Sequence, residues 1–254
     1  GPAKRWDGRE PLDGKTLLVH EEQGLGDTLM GVCFLQLLSK KAEKILLLVP
    51  TSLHLLMKHS LTDINVISSI DASDKIDYHC PLLSLPHLTH QKWDQISSLN
   101  HALKCPQKNL KEWVRHIPTN GSLRVGIVCS GSINHKNDKN RSIEASEFFS
   151  HLPDGVDYHI LQKEVRPSED VFLRKNPGIT CHSENIKDFC DTAALCLLMD
   201  IVICVDTSVA HLSGRLGVKT LVHAQVHLCH GRGERTERDV RRQDLHVHRR
   251  QILM

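Results

Sequence analysis

Three short segments carry side chains suited to moving a proton and holding an anion. In the first, Gly24-Leu25-Gly26-Asp27-Thr28 sits between the apolar run Thr16–His20 and a helical pattern. Its glycines admit close backbone approach, and the helix N-terminus favours negative charge. Asp27 would repel a phosphate, so its carboxylate offers either a general base or a helix N-cap. The second segment, Asp206-Thr207-Ser208-Val209-Ala210-His211, is again a strand-to-helix corner. Its hydroxyls and backbone N–H groups suit a diphosphate, and simple capping by Asp206, Thr207 or Ser208 is the alternative. The third runs from Ser130 and Gly131 to Ser142 and is dense in cations and donors. Lys139 or Arg141 would neutralise a leaving phosphate there, unless the segment is only a solvated loop. Gln162-Lys163 leaves another strand and adds a cation on the same edge if the strands are parallel.

Positioning these groups requires alternating strands and helices. Strands are expected at Thr16–His20, Ile45–Val49, Ile64–Ile67 and Ile76–His79, with helices through Leu29, Val32, Phe34, Leu37 and Leu38 and through Leu53, Leu56 and Met57. Two prolines, Pro81 and Pro86, argue against a long helix after Cys80. Residues 87–122 are polar and mixed and end in Pro118-Thr119-Asn120-Gly121-Ser122, a turn-rich boundary. The alternation then resumes. Strands are expected at Arg124–Cys129, Tyr158–Leu161, Ile179–Cys181, Ile201–Val205 and Val218–Val222, and helices near Glu144–His151, Ile186–Leu198 and Ser208–Leu216. The expected fold class is therefore α/β with two parallel-sheet domains, at residues 1–118 and 123–220, and an atypical tail at 221–254.

Composition bounds the function. The chain has 254 residues, 40% of them hydrophobic and 24% charged, enough for two ordinary domains and inconsistent with disorder. No run is long and apolar enough for a transmembrane segment, and a net charge of +2 gives no global footprint for nucleic acid. Nine cysteines, several inside apolar runs, suit reduced buried thiols and, without a signal-like N-terminus, a cytoplasmic location. The charge is uneven: residues 221–254 hold seven Arg, no Lys, five His and four acids. Three readings of that tail compete. A zinc site would use His223, His227, Cys229 and His230 but lacks paired Cys-x-x-Cys, and a nucleic-acid patch would lack aromatics. A non-homologous end is favoured and predicts poor folding after Thr220. A nicotinamide enzyme is disfavoured: the third glycine of the dinucleotide fingerprint is missing, and the second strand ends at Val49-Pro50 without an acid.

The segments together resemble glycosyltransferase family 9. The resemblance rests on Arg5-Trp6-Asp7-Gly8, Pro11-Leu12-x-Gly14-Lys15-Thr16, Glu22-Gln23-Gly24-Leu25-Gly26-Asp27-Thr28 and Cys80-Pro81-Leu82-Leu83-Ser84-Leu85-Pro86. It continues through Asn137-Asp138-x-Asn140-Arg141-Ser142, Leu161-Gln162-Lys163-Glu164 and Val205–Leu212, spanning about residues 4–220. More narrowly, the chain is similar to the heptosyltransferase-like domains that follow tetratricopeptide repeats in bacterial proteins. The resemblance implies two Rossmann-like domains facing across a cleft, the GT-B arrangement. It implies metal-independent, inverting transfer from a nucleotide-diphosphate sugar, with no cofactor, to a saccharide, lipid-saccharide or protein acceptor. Asp27 would be the base, with Gly24, Gly26 and Thr28 on the acceptor side. The donor would meet Ser130, Gly131, Lys139, Arg141, Gln162, Lys163, Asp206, Thr207, Ser208, Val209 and His211. The chain departs from the family in two places. Met30-Gly31-Val32-Cys33-Phe34 stands where relatives carry an aromatic and an Arg, and the family's Trp-rich closing segment is replaced after Thr220. A sugar-nucleotide-binding remnant acting as an interaction module is the alternative function.

Overall fold

Residues 3–38, 41–71, 74–92, 102–117, 121–133 and 138–223 are described by a computed structural model. The first half holds β1 (Lys4–Arg5), β2 (Thr16–His20), α1 (Leu25–Gly31), β3 (Lys44–Leu48), α2 (Thr51–Ser60), β4 (Asn65–Ile67), β5 (Tyr78–Pro81) and the single turn α3 (Leu85–Leu88). Its five strands are all parallel in the order β1-β5-β2-β3-β4. Alternation along β2 sends Leu17 and Val19 into the same core as Leu47, Val66 and Cys80.

The single helix expected after Asp27 is two elements. α1 stops at Gly31 and a 3-10 stretch, Val32–Leu38, follows. Its apolar spacing explains the change: Val32, Leu35 and Leu38 are buried three residues apart, which lines one face of a three-residue turn. Gly31 itself lies against Leu82 and Leu83, where an added Cβ would stand 2.8 Å from a Leu83 methyl.

The second half holds β6 (Arg124–Val128), α5 (Ala145–Ser150), β7 (Asp157–Ile160), α6 (Pro167–Lys175), β8 (Ile179–Cys181), α7 (Phe189–Leu198), β9 (Ile201–Val205), α8 (Ser208–Arg215) and β10 (Thr220–His223), with α4 (Gln107–His116) ahead of it. Its parallel order is β8-β7-β6-β9-β10. The chain therefore winds outward from β6 in one direction and then from β9 in the other, leaving a topological switch point between these strands.

Besides the single turn α3, three elements escaped the sequence reading. β1 is two residues long, α4 buries little besides Trp113, and α6 begins at a proline with a buried glutamate, Glu169, in its first turn. None offers a broad apolar stripe. α4 packs on α7, where Asp191 accepts from Trp113 Nε1 at 3.0 Å and Asn109 Nδ2 at 2.9 Å. The tail beyond His223 lies outside the described residues.

A single apolar cluster runs through both halves. Leu53, Leu56 and Met57 of α2 share it with Ala193, Ala194 and Leu195 of α7, two helices that pack together. A second cluster, including Ile127, Phe148 and Ile160, fills the outer face of the second sheet. Eight cysteines among the described residues are unpaired, all buried but Cys181. Burial pushes the Cys105 thiol up to about 11 and Cys80 to about 12, so both remain protonated and pack as small apolar groups. No helix among the described residues is long and apolar enough to cross a membrane.

Candidate active site

The two strand-to-helix corners meet. α1 packs along α8, and at their beginnings a Cβ on Gly26 would stand 3.2 Å from His211 Cδ2 and 3.5 Å from Ser208 Cα. Glycine at 26 thus answers a close approach between the halves. Asp27 does not occupy the N-cap position. Gly24 does, and Asp27, three residues on, accepts from the Gly24 N–H through Oδ2 at 3.0 Å. Local capping and reactive chemistry therefore compete for one carboxylate, but only one of its oxygens is engaged by that bond. Thr28 is buried beneath, its hydroxyl 3.4 Å from the Gly24 carbonyl.

His211 lies between the acids of both corners. Burial lowers its pKa, Asp206 and Asp27 oppose that, and Arg215 reinforces it, leaving a neutral imidazole near pH 7. At the N-cap of α8, Thr207 forms no side-chain cap, and its enclosed Oγ1 has no hydrogen-bond partner among the described residues. Capping by Asp206 or Ser208 is not seen either: Asp206 lies before the N-cap and Ser208 opens the helix. The first N–H groups of α8, those of Ser208 and Val209 included, have no intrahelical acceptor.

Across the switch point the Ser130–Ser142 loop is knit to the end of β7. Gln162 is buried; its Oε1 accepts from the Cys129 N–H at 3.0 Å, and its Nε2 donates to Ser130 Oγ at 3.0 Å and Glu169 Oε2 at 2.7 Å. Gln162 and Ser130 thus hold each other at the neighbouring ends of β6 and β7. Of the three cations, Lys163 turns away to donate to the Lys187 carbonyl at 2.6 Å, and Lys139 is exposed. Arg141 reaches the second corner, donating to the Asp206 carbonyl at 3.2 Å. Gly131 makes room for it, since a Cβ there would fall 2.5 Å from Arg141 Nη2.

The sequence reading missed four residues of this region. Arg166 Nη2, with two hydrogens to give, lies within hydrogen-bond distance of both oxygens of Asp138, of Ser142 Oγ and of the Gly131 carbonyl. Burial pushes the Asp138 carboxyl up, but bonds from Ser142 and Arg166 and their neighbouring charge outweigh it and hold it below the usual range. Glu169 accepts from the Arg166 N–H as well as from Gln162. Arg215, buried at the end of α8, donates to the Met30 carbonyl at 2.7 Å and lies 3.0 Å from Cys33 Sγ. A guanidinium thus reaches the Met30–Phe34 segment from the other half. An Arg-Pro step with a glutamate two residues beyond was a legible sign of α6, but which carboxylates Arg166 meets depends on long-range folding.

Among the described residues, no group of three or more His, Cys, Asp or Glu is placed to hold a metal ion. Two cavities, of about 350 and 520 Å³, are lined by none of the residues at the two corners.

No family model and no curated protein matches the chain. Solved structures do match its fold. A glycosyltransferase family 9 structure from Veillonella parvula superposes with a TM-score of 0.57 at 14% identity, over 84% of this chain and 82% of that one. The fold is GT-B-like. The dodecameric iron-containing heptosyltransferase TibC of Escherichia coli, in complex with ADP-D-beta-D-heptose, gives 0.58 at 10% identity over 87% of this chain and 59% of that one. The Escherichia coli ADP-heptose lipopolysaccharide heptosyltransferase II aligns over 82% of this chain at 8% identity, with a TM-score of 0.49.

Proposed function

We propose that the chain transfers a sugar from a nucleotide-diphosphate sugar to an acceptor hydroxyl, with inversion and without a metal ion. The observation that carries this is the meeting of the Asp27 and His211 corners beside Arg141, on a fold shared with family 9 structures. In this reading the free oxygen of Asp27 takes the proton of the acceptor hydroxyl while the acceptor oxygen bonds to the anomeric carbon. The bond from that carbon to the donor diphosphate breaks in the same displacement. The departing nucleoside diphosphate carries the electron pair towards the α8 N-terminus and Arg141. A neutral His211 suits the role, because an imidazolium beside Asp27 would pair with the carboxylate and weaken it as a base.

The same proposal includes the finer parts of the resemblance: acceptor side in residues 1–118, donor side in 123–220, a cytoplasmic setting, and kinship with repeat-linked domains. Like TibC, which binds ADP-heptose, the chain would take an ADP- or UDP-type donor.

A thermal-shift screen of nucleoside diphosphates and nucleotide-sugars, repeated with Asp27→Asn, tests the proposal. The expected result is a raised Tm for one nucleotide in both proteins, and transfer lowered about 10²–10⁴-fold in the variant. No shift with any nucleotide at millimolar concentration would favour the remnant reading, and unchanged turnover would remove Asp27 as the base.

A further inference from the structure

Arg166 is placed to control a group it does not itself resemble. It sits between β7 and α6, and its one Nη2 nitrogen gathers three separate parts of the Ser130–Ser142 loop. These are the Gly131 carbonyl at 3.1 Å, the Asp138 carboxylate at 2.7 and 2.6 Å, and Ser142 Oγ at 3.0 Å. Asp138, Arg141 and Ser142 also bond to one another around this point. Ser142 Oγ donates to Asp138 Oδ1 at 2.7 Å, and the Arg141 and Ser142 N–H groups donate to the Asp138 carbonyl at 3.1 and 3.0 Å. Arg141 has Asp138 Oδ1 at 4.0 Å on one side and the Asp206 carbonyl at 3.2 Å on the other. One carboxylate, 9% exposed, therefore faces two guanidinium groups beside the α8 corner. A charge-assisted contact of this geometry is stronger than a neutral one and orients what it holds.

We infer that Arg166 is a positioning residue: through Asp138 it ties the Asp138–Ser142 segment to Gly131 so that Arg141 stands ready at the Asp206 corner to receive a diphosphate. The consequence for ligand rests on the proposed function. The holding of the loop does not.

Two measurements on the full chain separate these parts. In hydrogen exchange, Arg166→Ala should speed the Arg141 and Ser142 amides by roughly tenfold or more, the effect staying within the loop. Arg166→Lys, which keeps a charge able to pair with Asp138 but on a shorter side chain, should restore part of the protection. In calorimetric titration with ADP, UDP and GDP, Arg141→Ala and Arg166→Ala should each weaken the bound diphosphate by about tenfold or more. The double variant should be no weaker than Arg141→Ala alone.

Additive losses would show Arg166 acting independently of Arg141 and overturn the inference. Unchanged exchange at Arg141 and Ser142 would overturn it as well. If the unmodified chain binds none of the three diphosphates, the functional reading fails, and exchange alone then decides whether Arg166 holds the loop. Should Arg166→Ala not fold, Asp138→Asn gives the same comparison: it keeps the shape and removes the charge that both guanidinium groups face.

Discussion

The corner after β2 and the edge beyond β6 are built in opposite ways. The first is sparse: Gly26 lets α1 come against α8, and its side-chain hydrogen bonds are one from the Gly24 N–H to Asp27 and a long one from Thr28 to the Gly24 carbonyl. The second is crowded, with Gln162, Ser130, Glu169, Asp138, Ser142, Arg166 and Arg141 joined in buried or half-buried bonds. A group that must take a proton works best with an unoccupied oxygen, whereas an anion site works best with donors fixed beforehand. Under the proposed function, the difference between the halves would match a division between proton transfer and anion holding.

Cutting the Gln162 bonds of the crowded side should have the largest effect on stability. Gln162→Leu would strand the Cys129 N–H and Ser130 Oγ and take one donor from Glu169, and is expected to cost about 4 kcal/mol in denaturant unfolding. Thr28→Val in the sparse corner should cost less than about 1 kcal/mol, since the bond it removes is 3.4 Å long. Equal losses would erase the contrast.

Acid should act through the second half. His159 Nδ1 and His182 Nε2 are 2.9 Å apart in the buried core, with Trp113 edge-on to His182. Burial, then the neighbouring His159 and His116, lower the His182 pKa to about 4. Burial likewise lowers His159, with Asp157 opposing and Arg124 assisting. In the unfolded chain each would bind a proton near pH 6.5. Stability is thus complete above that pH and is lost as pH falls towards 4, by about 3 kcal/mol for His182. Urea midpoints between pH 7 and 4 should fall accordingly and fall less in His182→Gln; parallel curves would refute the pair's role.

The smallest effect expected is local. Gly131→Ala places a Cβ where Arg141 Nη2 now lies, and the flexible guanidinium rather than the backbone would yield. Diphosphate affinity should drop about fivefold to tenfold with Tm nearly unchanged. A large loss of Tm would instead mean that the backbone, not Arg141, gives way.

Much of the architecture was legible because apolar alternation is local. β2, β3, β6 and β9 stand within one residue of where Val, Ile and Leu runs placed them, and α2 and α8 follow their periodic residues. α4 was not legible, since it buries little besides Trp113 against α7, a partner remote in sequence, and α6 carried only its Arg166-Pro167 start and Glu169 as a sign. The 3-10 stretch was misread as helix because Phe34 and Leu37, only partly buried, imitate the wider helical period.

By itself, the sequence determined the strand-glycine-helix corners, the α/β alternation and the residue types able to take a proton or face an anion. Those are properties of neighbouring residues. Only the tertiary structure decided that Gly26 would lie against His211, that Arg141 rather than Lys163 would reach the Asp206 corner, and that Arg166 would organise the loop between them. The reason is physical: a side chain's partners are set by which strand edges adjoin, and parallel crossovers bring together residues 28 to 185 positions apart.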